Sequence, residues 1–144
     1  MERNRCVMTR TYDPKKILVS LGSHSVTGYA EDGFITIEPH GDGTQKKVGC
    51  DGEIVRSIDP DSSATVTISL NYGSPTVAYC QRQYDRDKAN GDGTFPIMVK
   101  DLKGGLLFSA GVAWVENVPS REFGKEAPGR ELVIATGEAS WGGE

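Results

Sequence analysis

The stretch 64–90 constrains the fold more than any other part of this sequence, because it combines a strand, a turn and a helix. Its first residues, ATVTISL, alternate apolar with polar side chains, and this period of two predicts a half-buried β-strand. Ser74 is then placed to cap the N-terminus of a helix, and Pro75 takes the first helical position, where a missing N–H costs nothing. The pair Asn90-Gly91 is typical of a left-handed helix end.

The predicted helix has one narrow apolar stripe, formed by Val77, Cys80, Gln81 and Tyr84. A stripe of this width cannot bury the apolar side chains of the whole chain, so sheets must bury the rest. Apolar runs between turn signals predict further strands at 16–21, 34–38, 53–59, 95–101, 106–117 and 131–140, with a short edge piece at 26–29. The sequence therefore predicts a mainly β fold, an antiparallel β-sandwich or small barrel with one flanking α-helix.

The longest predicted strand, 106–117, has apolar residues on both faces, which is typical of a central strand. Strict alternation along it is expected to keep four side chains on one face: Phe108, Ala110, Val112 and Trp114.

The length of 144 residues suits one domain, predicted here as 15–144. Residues 1–14 are polar and end in Asp13-Pro14, so we expect a flexible N-terminal arm. The arm lacks the apolar segment of a secretory signal, and no apolar run approaches the ~18 residues of a membrane span. We therefore expect synthesis in the cytoplasm and no membrane anchor.

The three cysteines, Cys6, Cys50 and Cys80, are odd in number, far apart and not in a C-x-x-C pattern. This spacing favours free thiols over a disulfide framework or a zinc knuckle. The net charge is -4, whereas a protein that binds nucleic acid usually carries a clustered basic face. The composition therefore does not indicate nucleic-acid binding.

Patterns of catalytic or metal-ligating residues are missing from the sequence. His24 and His40 have no Ser, Cys or carboxylate at a recognisable motif spacing. A calcium loop opening at Asp85 fails, because Ala89 and Pro96 fall at positions that need ligands. We therefore expect no catalytic, cofactor-binding or metal-binding residues, and a protein that is not an enzyme.

The segment 40–52, HGDGTQKKVGCDG, carries four glycines and is predicted to be a long loop. A turn between two paired strands needs only ~2–5 residues, so the length of this segment indicates another task. We expect it to dock on a partner through five side chains: Lys46, Lys47, Val48, Cys50 and Asp51.

Three runs, in this order along the chain, resemble the tail tube proteins of contractile-tailed bacteriophages: KKVGCDGEIVRS at 46–57, ATVTISL at 64–70 and FPIMVKD at 95–101, with the Ser-capped helix between the last two. The resemblance covers residues 15–140. Members of that family are small β-sandwich or barrel proteins with one flanking helix, and secretion-system and tailocin tubes use the same fold. They form hexameric rings that stack into the rigid tube inside the sheath. The segment 33–59 matches the place where the family has a long β-hairpin loop that reaches the neighbouring ring.

The resemblance implies a structural virion protein of the phage tail, a tube subunit through which DNA passes at ejection without specific binding. Its implied partners are further copies of itself, the tail sheath protein, and the baseplate and tail terminator proteins. DNA must slide without sticking to basic groups, so we expect a neutral or electronegative lumen. Three carboxylates near the ends of candidate strands are assigned to it: Glu38, Glu53 and Asp59.

A second class of function remains open from the residues alone. A β-sandwich without catalysis can bind a sugar or peptide through aromatic side chains, and Trp114, Trp141 and the tyrosines could stack on such a ligand. Trp114 lies in the most apolar strand, which favours a place in the core. Tubes or six-fold rings in micrographs would support the first class, and monomers with ligand-dependent melting would support the second.

Overall fold

The computed structural model describes residues 13–29, 35–102, 104–118, 123–126 and 129–142. Apart from its last two residues, the predicted arm at 1–14 lies outside these ranges. Within them the chain forms ten β-strands and one α-helix, preceded by a 3-10 turn at Pro14–Lys16. The elements are β1 (Ile17–Leu21), β2 (His24–Ser25), β3 (Ile35–Pro39), β4 (Thr44–Val48), β5 (Ile54–Ile58), β6 (Ala64–Leu70), α1 (Pro75–Asn90), β7 (Phe95–Asp101), β8 (Leu107–Asn117), β9 (Arg130–Thr136) and β10 (Ala139–Gly142).

Eight of these strands form one antiparallel sheet, in the order β2-β1-β7-β8-β9-β6-β3, with β10 also paired to β8. The strands β4 and β5 form a separate two-stranded sheet. The prediction of a mainly β, antiparallel fold with one helix is therefore confirmed.

The long strand β8 changes its inward face part-way along. Its buried residues are Phe108, Ala110, Ala113 and Val115. Between the paired positions Phe95↔Ala113 and Ile97↔Ala110, β7 advances by two residues and β8 by three. The extra residue in β8 is a β-bulge, and it changes which side chains of β8 point inward. The expected single face is therefore wrong beyond Ala110: Val112 is exposed and Trp114 is only half-buried.

The predicted strand at 131–140 is two strands, because Gly137 and Glu138 interrupt it opposite the bulge. Both parts pair with β8: β9 pairs with the second half of β8 through Ala113↔Thr136, and β10 pairs with the first half through Ala110↔Ala139. From there β9 continues the sheet to β6.

The described residues form one hydrophobic core against the main sheet. It is built from the inward side chains of β1, β6, β7, β8 and β9, for example Leu21, Ile68, Ile97, Phe108 and Ile134. The alternating burial of β6 matches the period of two in its sequence, since every second residue from Ala64 to Leu70 is buried.

The helix α1 packs against β2, β8 and β9 and covers the core with Cys80. Ser74 occupies the N-cap position, where its side chain accepts a hydrogen bond from the backbone N–H of Thr76 at 3.3 Å. Pro75 starts the helix, and Gly91 ends it in the left-handed conformation with φ of 74°. The fully inward face carries two polar residues, Thr76 and Gln83, so it is rotated from the predicted apolar stripe.

The segment 40–52 is not the structureless loop that its glycines predict, because β4 lies inside it. The predicted strands on either side of this segment do not pair with each other: β3 pairs with β6, for example Ile37↔Val66, while β5 pairs with β4. The long hairpin implied by the resemblance is present, and it runs from Thr44 to Ile58.

Candidate assembly surface

The hairpin formed by β4 and β5, called here the projecting hairpin (residues 44–58), stands apart from the core. All residues of both strands are exposed, and the two strands pair only with each other in the part of the chain that the structure describes. Its base is closed by a hydrogen bond from the N–H of Asp59 to the carbonyl of Gly43 at 2.8 Å. Its tip is closed by a bond from the N–H of Gly49 to the carbonyl of Glu53 at 2.8 Å.

One face of the projecting hairpin is apolar at both ends. Paired residues share a face, so Val48 and Ile54 lie together near the tip, and Ile58 lies near the base. These side chains are 59%, 60% and 70% exposed. Adjacent aliphatic side chains as open to water as Val48 and Ile54 are suited to a surface that another protein covers.

Between those apolar ends the same face carries two cations. Lys46 lies directly opposite Arg56, and like charges in this position destabilise a hairpin. The salt bridge found within the described residues involves neither cation: it joins a guanidinium nitrogen of Arg86 to a carboxylate oxygen of Asp92 at 3.6 Å. This face of the hairpin therefore matches an acidic or neutral polar partner.

The five side chains predicted to dock on a partner all belong to this hairpin and are all exposed: Lys46, Lys47, Val48, Cys50 and Asp51. The first three lie on β4, and the other two lie in the tip. A carboxylate oxygen of Asp51 accepts a hydrogen bond from the N–H of Glu53 at 3.1 Å, which shapes the turn. Sequence reasoning missed the matching side chains on β5, Ile54, Arg56 and Ile58, because the segment that forms its partner strand β4 was predicted to be a loop.

The three carboxylates assigned to a lumen do not form one cluster. Glu38 lies on the edge strand β3, Glu53 lies at the tip of the projecting hairpin, and Asp59 lies at its base. Glu53 and Asp59 are six residue steps apart along an extended strand, about 20 Å at ~3.3 Å per residue.

Asp59 is part of the turn that carries the hairpin base. Its two carboxylate oxygens accept hydrogen bonds from the backbone N–H groups of Asp42 at 2.8 Å and Asp61 at 2.9 Å. These bonds favour the charged carboxylate and lower the pKa of Asp59 below its usual value. The base is therefore a fixed acidic turn from which the basic part of the hairpin extends.

A second polar site lies where β2 meets the start of α1. The ring of His24 stacks on the ring of Tyr79, with centroids 4.6 Å apart, and its Nε2 lies 2.9 Å from the hydroxyl of Thr76. Burial, and to a smaller extent the charge of Arg82, lowers the pKa of His24. No local pattern predicts this site, because Thr76 and His24 are joined only by tertiary packing.

The two tryptophans considered for ligand stacking lie far apart. Trp141 pairs with Phe108 at one end of β8 and packs edge-to-face on its ring, with centroids 4.8 Å apart. Trp114 lies six residues further along β8, about 20 Å away at ~3.3 Å per residue. Trp141 therefore covers the core beside Phe108, and the two indoles do not converge on one site.

Residues 13–29, 35–102, 104–118, 123–126 and 129–142 contain no cluster of His, Cys, Asp and Glu side chains that could hold a metal ion. In the same part of the chain, no helix has both the length and the apolar character needed to cross a membrane.

Comparison with known proteins identifies the setting in which this fold occurs. No protein-family model matches the sequence. Structural protein ORF10 of Pseudomonas phage KPP10 is 28% identical over 135 residues, covering 88% of this chain and 78% of that protein.

Two solved structures share the fold along nearly all of the chain. One is the cap that terminates the tube of the anti-feeding prophage, with a TM-score of 0.66, 12% identity and coverage of 98% of this chain and 97% of that chain. The other is a chain of the sheath-tube complex of PVC, an extracellular contractile injection system, in its extended state, with a TM-score of 0.63, 10% identity and 93% coverage of each chain. The resemblance to tail tube proteins is thus confirmed at the level of the fold.

Proposed function

We propose that this protein is a structural virion protein, a tail tube subunit that forms stacked hexameric rings and conducts DNA during ejection. The observation that carries the proposal is the projecting hairpin. Its apolar and cationic side chains are exposed, and its two strands pair only with each other in the described part of the chain. Such a hairpin on a fold shared with contractile-system proteins is suited to contact between copies.

The hairpin gains most from assembly because it has little support in the free chain. A single two-stranded hairpin is marginally stable in water, and all the strand residues of this one are exposed. Ordering its backbone costs roughly 1–2 kcal/mol per residue, and burial of Val48, Ile54 and Ile58 against a neighbour would offset part of this cost. Six such contacts per ring reinforce one another, because the first contact brings the others into reach.

The charge distribution is compatible with a tube that lets DNA slide. The chain has a net charge of -4, so repulsion of phosphate limits sticking. We retain Glu38 and Asp59 as candidates for the lumen surface. Glu53 is reassigned to the contact between rings, because it lies at the tip of the projecting hairpin.

The remaining parts of the proposal follow from a tube inside a contractile tail. The partners would be the tail sheath protein around the tube, the baseplate at one end and the tail terminator at the other. The protein would be made in the host cytoplasm and act in the virion, without enzymatic activity or a cofactor.

A second candidate is the protein that caps such a tube. It is favoured by the fold shared with the terminating cap of the anti-feeding prophage. A cap forms a ring that binds a tube end and does not stack further, so the two candidates differ in how many rings assemble.

Negative-stain microscopy of the purified chain at increasing concentration tests the proposal. A tube subunit gives stacked six-fold rings that lengthen with concentration. Single rings that never stack favour the cap, and monomers whose melting temperature rises with a sugar or peptide favour a ligand-binding module. Either of these results contradicts the tube subunit.

A further inference from the structure

Arg130, at the start of β9, is a nearly buried cation. Its side chain is 7% exposed, and its guanidinium lies over the rings of Tyr72 and Phe123 at 5.9 and 5.5 Å from their centroids. Within the described residues its guanidinium donates to the carbonyl oxygen of Gly129 at 3.0 Å, and no carboxylate of those residues pairs with it. A guanidinium has five N–H donors, so within the described residues most of its capacity to bind an anion is not used.

Arg130 lines a surface cleft of about 570 Å³ beside the N-terminus of α1. Arg82 lines the same cleft, and the other described lining residues, among them Tyr72 and Ser74, carry no charge. The first turn of α1 has no acidic residue, so nothing on the helix compensates the positive end of its dipole. Two arginines and a helix N-terminus therefore give the cleft a positive potential.

The shape of the cation indicates which anion the cleft suits. The rings of Tyr72 and Phe123, at 5.9 and 5.5 Å from the guanidinium carbon, restrict where the cation can lie. A planar guanidinium pairs with a carboxylate through two parallel hydrogen bonds, and pre-orientation reduces the entropy lost on binding. The cleft is therefore suited to an acidic side chain.

The projecting hairpin carries such side chains at its tip. Asp51 and Glu53 are exposed, and the residues next to them, Gly49, Cys50 and Gly52, are small enough to enter a cleft. Five-residue strands at ~3.3 Å per residue hold this tip about 16 Å from the hairpin base, so it can reach another subunit. The cationic cleft and the acidic tip are complementary surfaces of one chain.

We propose that the cleft lined by Arg130 and Arg82 receives the acidic tip of the projecting hairpin, Asp51 and Glu53, from a neighbouring copy of the chain. The proposal rests on the function proposed above and adds the surface on which the hairpin docks. The contact is heterologous, because the tip and the cleft are different parts of the subunit, and contacts of this kind extend an assembly instead of closing it as a dimer.

Charge exchange between the tip and the cleft tests this docking. Each of Glu53→Lys and Arg82→Glu should raise the lowest protein concentration that gives sedimenting tubes by about tenfold or more, the loss expected for reversal of one charge in a contact. The double variant restores an opposite pair and should return this concentration to within about threefold of wild type. Neutralisation of the tip by Asp51→Asn with Glu53→Gln keeps the turn acceptor and should also weaken assembly.

Two further variants separate docking from folding. Lys88→Glu reverses an exposed charge on α1 outside the cleft and should leave assembly unchanged. Arg130→Met keeps an unbranched side chain near the two rings, and circular dichroism shows whether this variant folds. If it does not fold, the variants of Arg82 and Glu53 decide whether the tip docks in the cleft.

The outcomes distinguish this inference from the proposed function. The docking is wrong if both single variants form tubes as well as wild type does. It is also wrong if the double variant is as impaired as the two single losses combined. In both cases the proposal that the protein is a tube subunit still stands. Docking on a protein other than this chain would appear as unchanged self-assembly in every variant, which also overturns it. Wild-type chains that stay monomeric at every concentration overturn both.

Discussion

Lys46 and Arg56 lie directly opposite each other on the two strands of the projecting hairpin, so two positive charges share one cross-strand position. In the free subunit this pair opposes formation of the hairpin, because like charges in paired positions repel. Neutralising groups from another subunit would have to lie beside the strands of the hairpin, because the cleft proposed to receive its tip is itself cationic.

Replacement of Arg56 by glutamate should therefore stabilise the hairpin in the free subunit. An opposite-charge pair contributes roughly 0.2–1 kcal/mol, which corresponds to amide exchange slowed by about 1.5- to 5-fold in β4 and β5. Ser57→Glu is the comparison variant, because it places a glutamate directly opposite the uncharged Gln45, on the face of the hairpin that does not carry the Lys46 and Arg56 pair. Exchange that is equally slowed in the two variants would contradict the role of the Lys46 charge.

The thiol of Cys80 is fully buried, and burial raises its pKa to about 12, while Cys50 is exposed at the hairpin tip. We expect Cys80→Ser to lower the free energy of unfolding by about 1–3 kcal/mol, because it places a hydroxyl in an apolar site. Cys50→Ser should change stability by less than about 0.5 kcal/mol. Chemical denaturation of the two variants measures the difference, and equal losses would show that Cys80 is not part of the core.

The pKa of His24 lies below its ordinary value of 6.5 because burial, and secondly the charge of Arg82, disfavour the protonated ring. The unfolded chain therefore binds a proton more tightly than the folded one, and the free energy of unfolding should fall as the pH drops through 6.5. Thermal unfolding between about pH 7.5 and 5 measures this slope. The slope should flatten in His24→Gln; a slope in this variant equal to that of wild type would assign it to other groups.

The C-terminal end of α1 needs a glycine at position 93. A methyl group there would overlap the carbonyl oxygen of Gln83 and lie 2.6 Å from Cβ of Asp87. We expect Gly93→Ala to lower the free energy of unfolding by about 1–3 kcal/mol, since the helix end must move to make room. Gly111→Ala is the control, because a methyl group at that position meets no atom within 4 Å. Equal stability of the two variants would contradict the close packing at Gly93.

Local signals in the sequence were sufficient for the helix and for most strands of the main sheet. The limits of α1 depend on residues whose backbone preferences are intrinsic, Ser74 and Pro75 at its start and Gly91 at its end. The strand β6 is equally clear, because one of its faces is buried and the other is not.

The parts that were wrong depend on pairing between distant segments. The sequence of β4, TQKKV, has no apolar alternation because neither face of that strand is buried, so its strand can be identified only from its partner β5. The bulge in β8 is likewise set by its register against β7, and the sequence alternation continues through it. The cleft around Arg130 is assembled from three separate segments, which no single window of sequence contains.

Removal of the projecting hairpin tests the central claim most directly. The backbone atoms of Gly43 and Asp59 are already joined by a 2.8 Å hydrogen bond, so residues 44–58 can be replaced by an Asn-Gly turn without moving the ends. Deletion of the predicted loop 40–52 alone would instead remove β4 and leave β5 without its partner strand.

The measurement is the length distribution of tubes in negative-stain micrographs of this variant beside wild type, at equal concentration and after its cooperative melting has been verified. We predict a folded subunit that gives monomers or single rings where wild type gives stacked tubes. Tubes of wild-type length and number from the variant would contradict the claim that this hairpin joins one ring to the next.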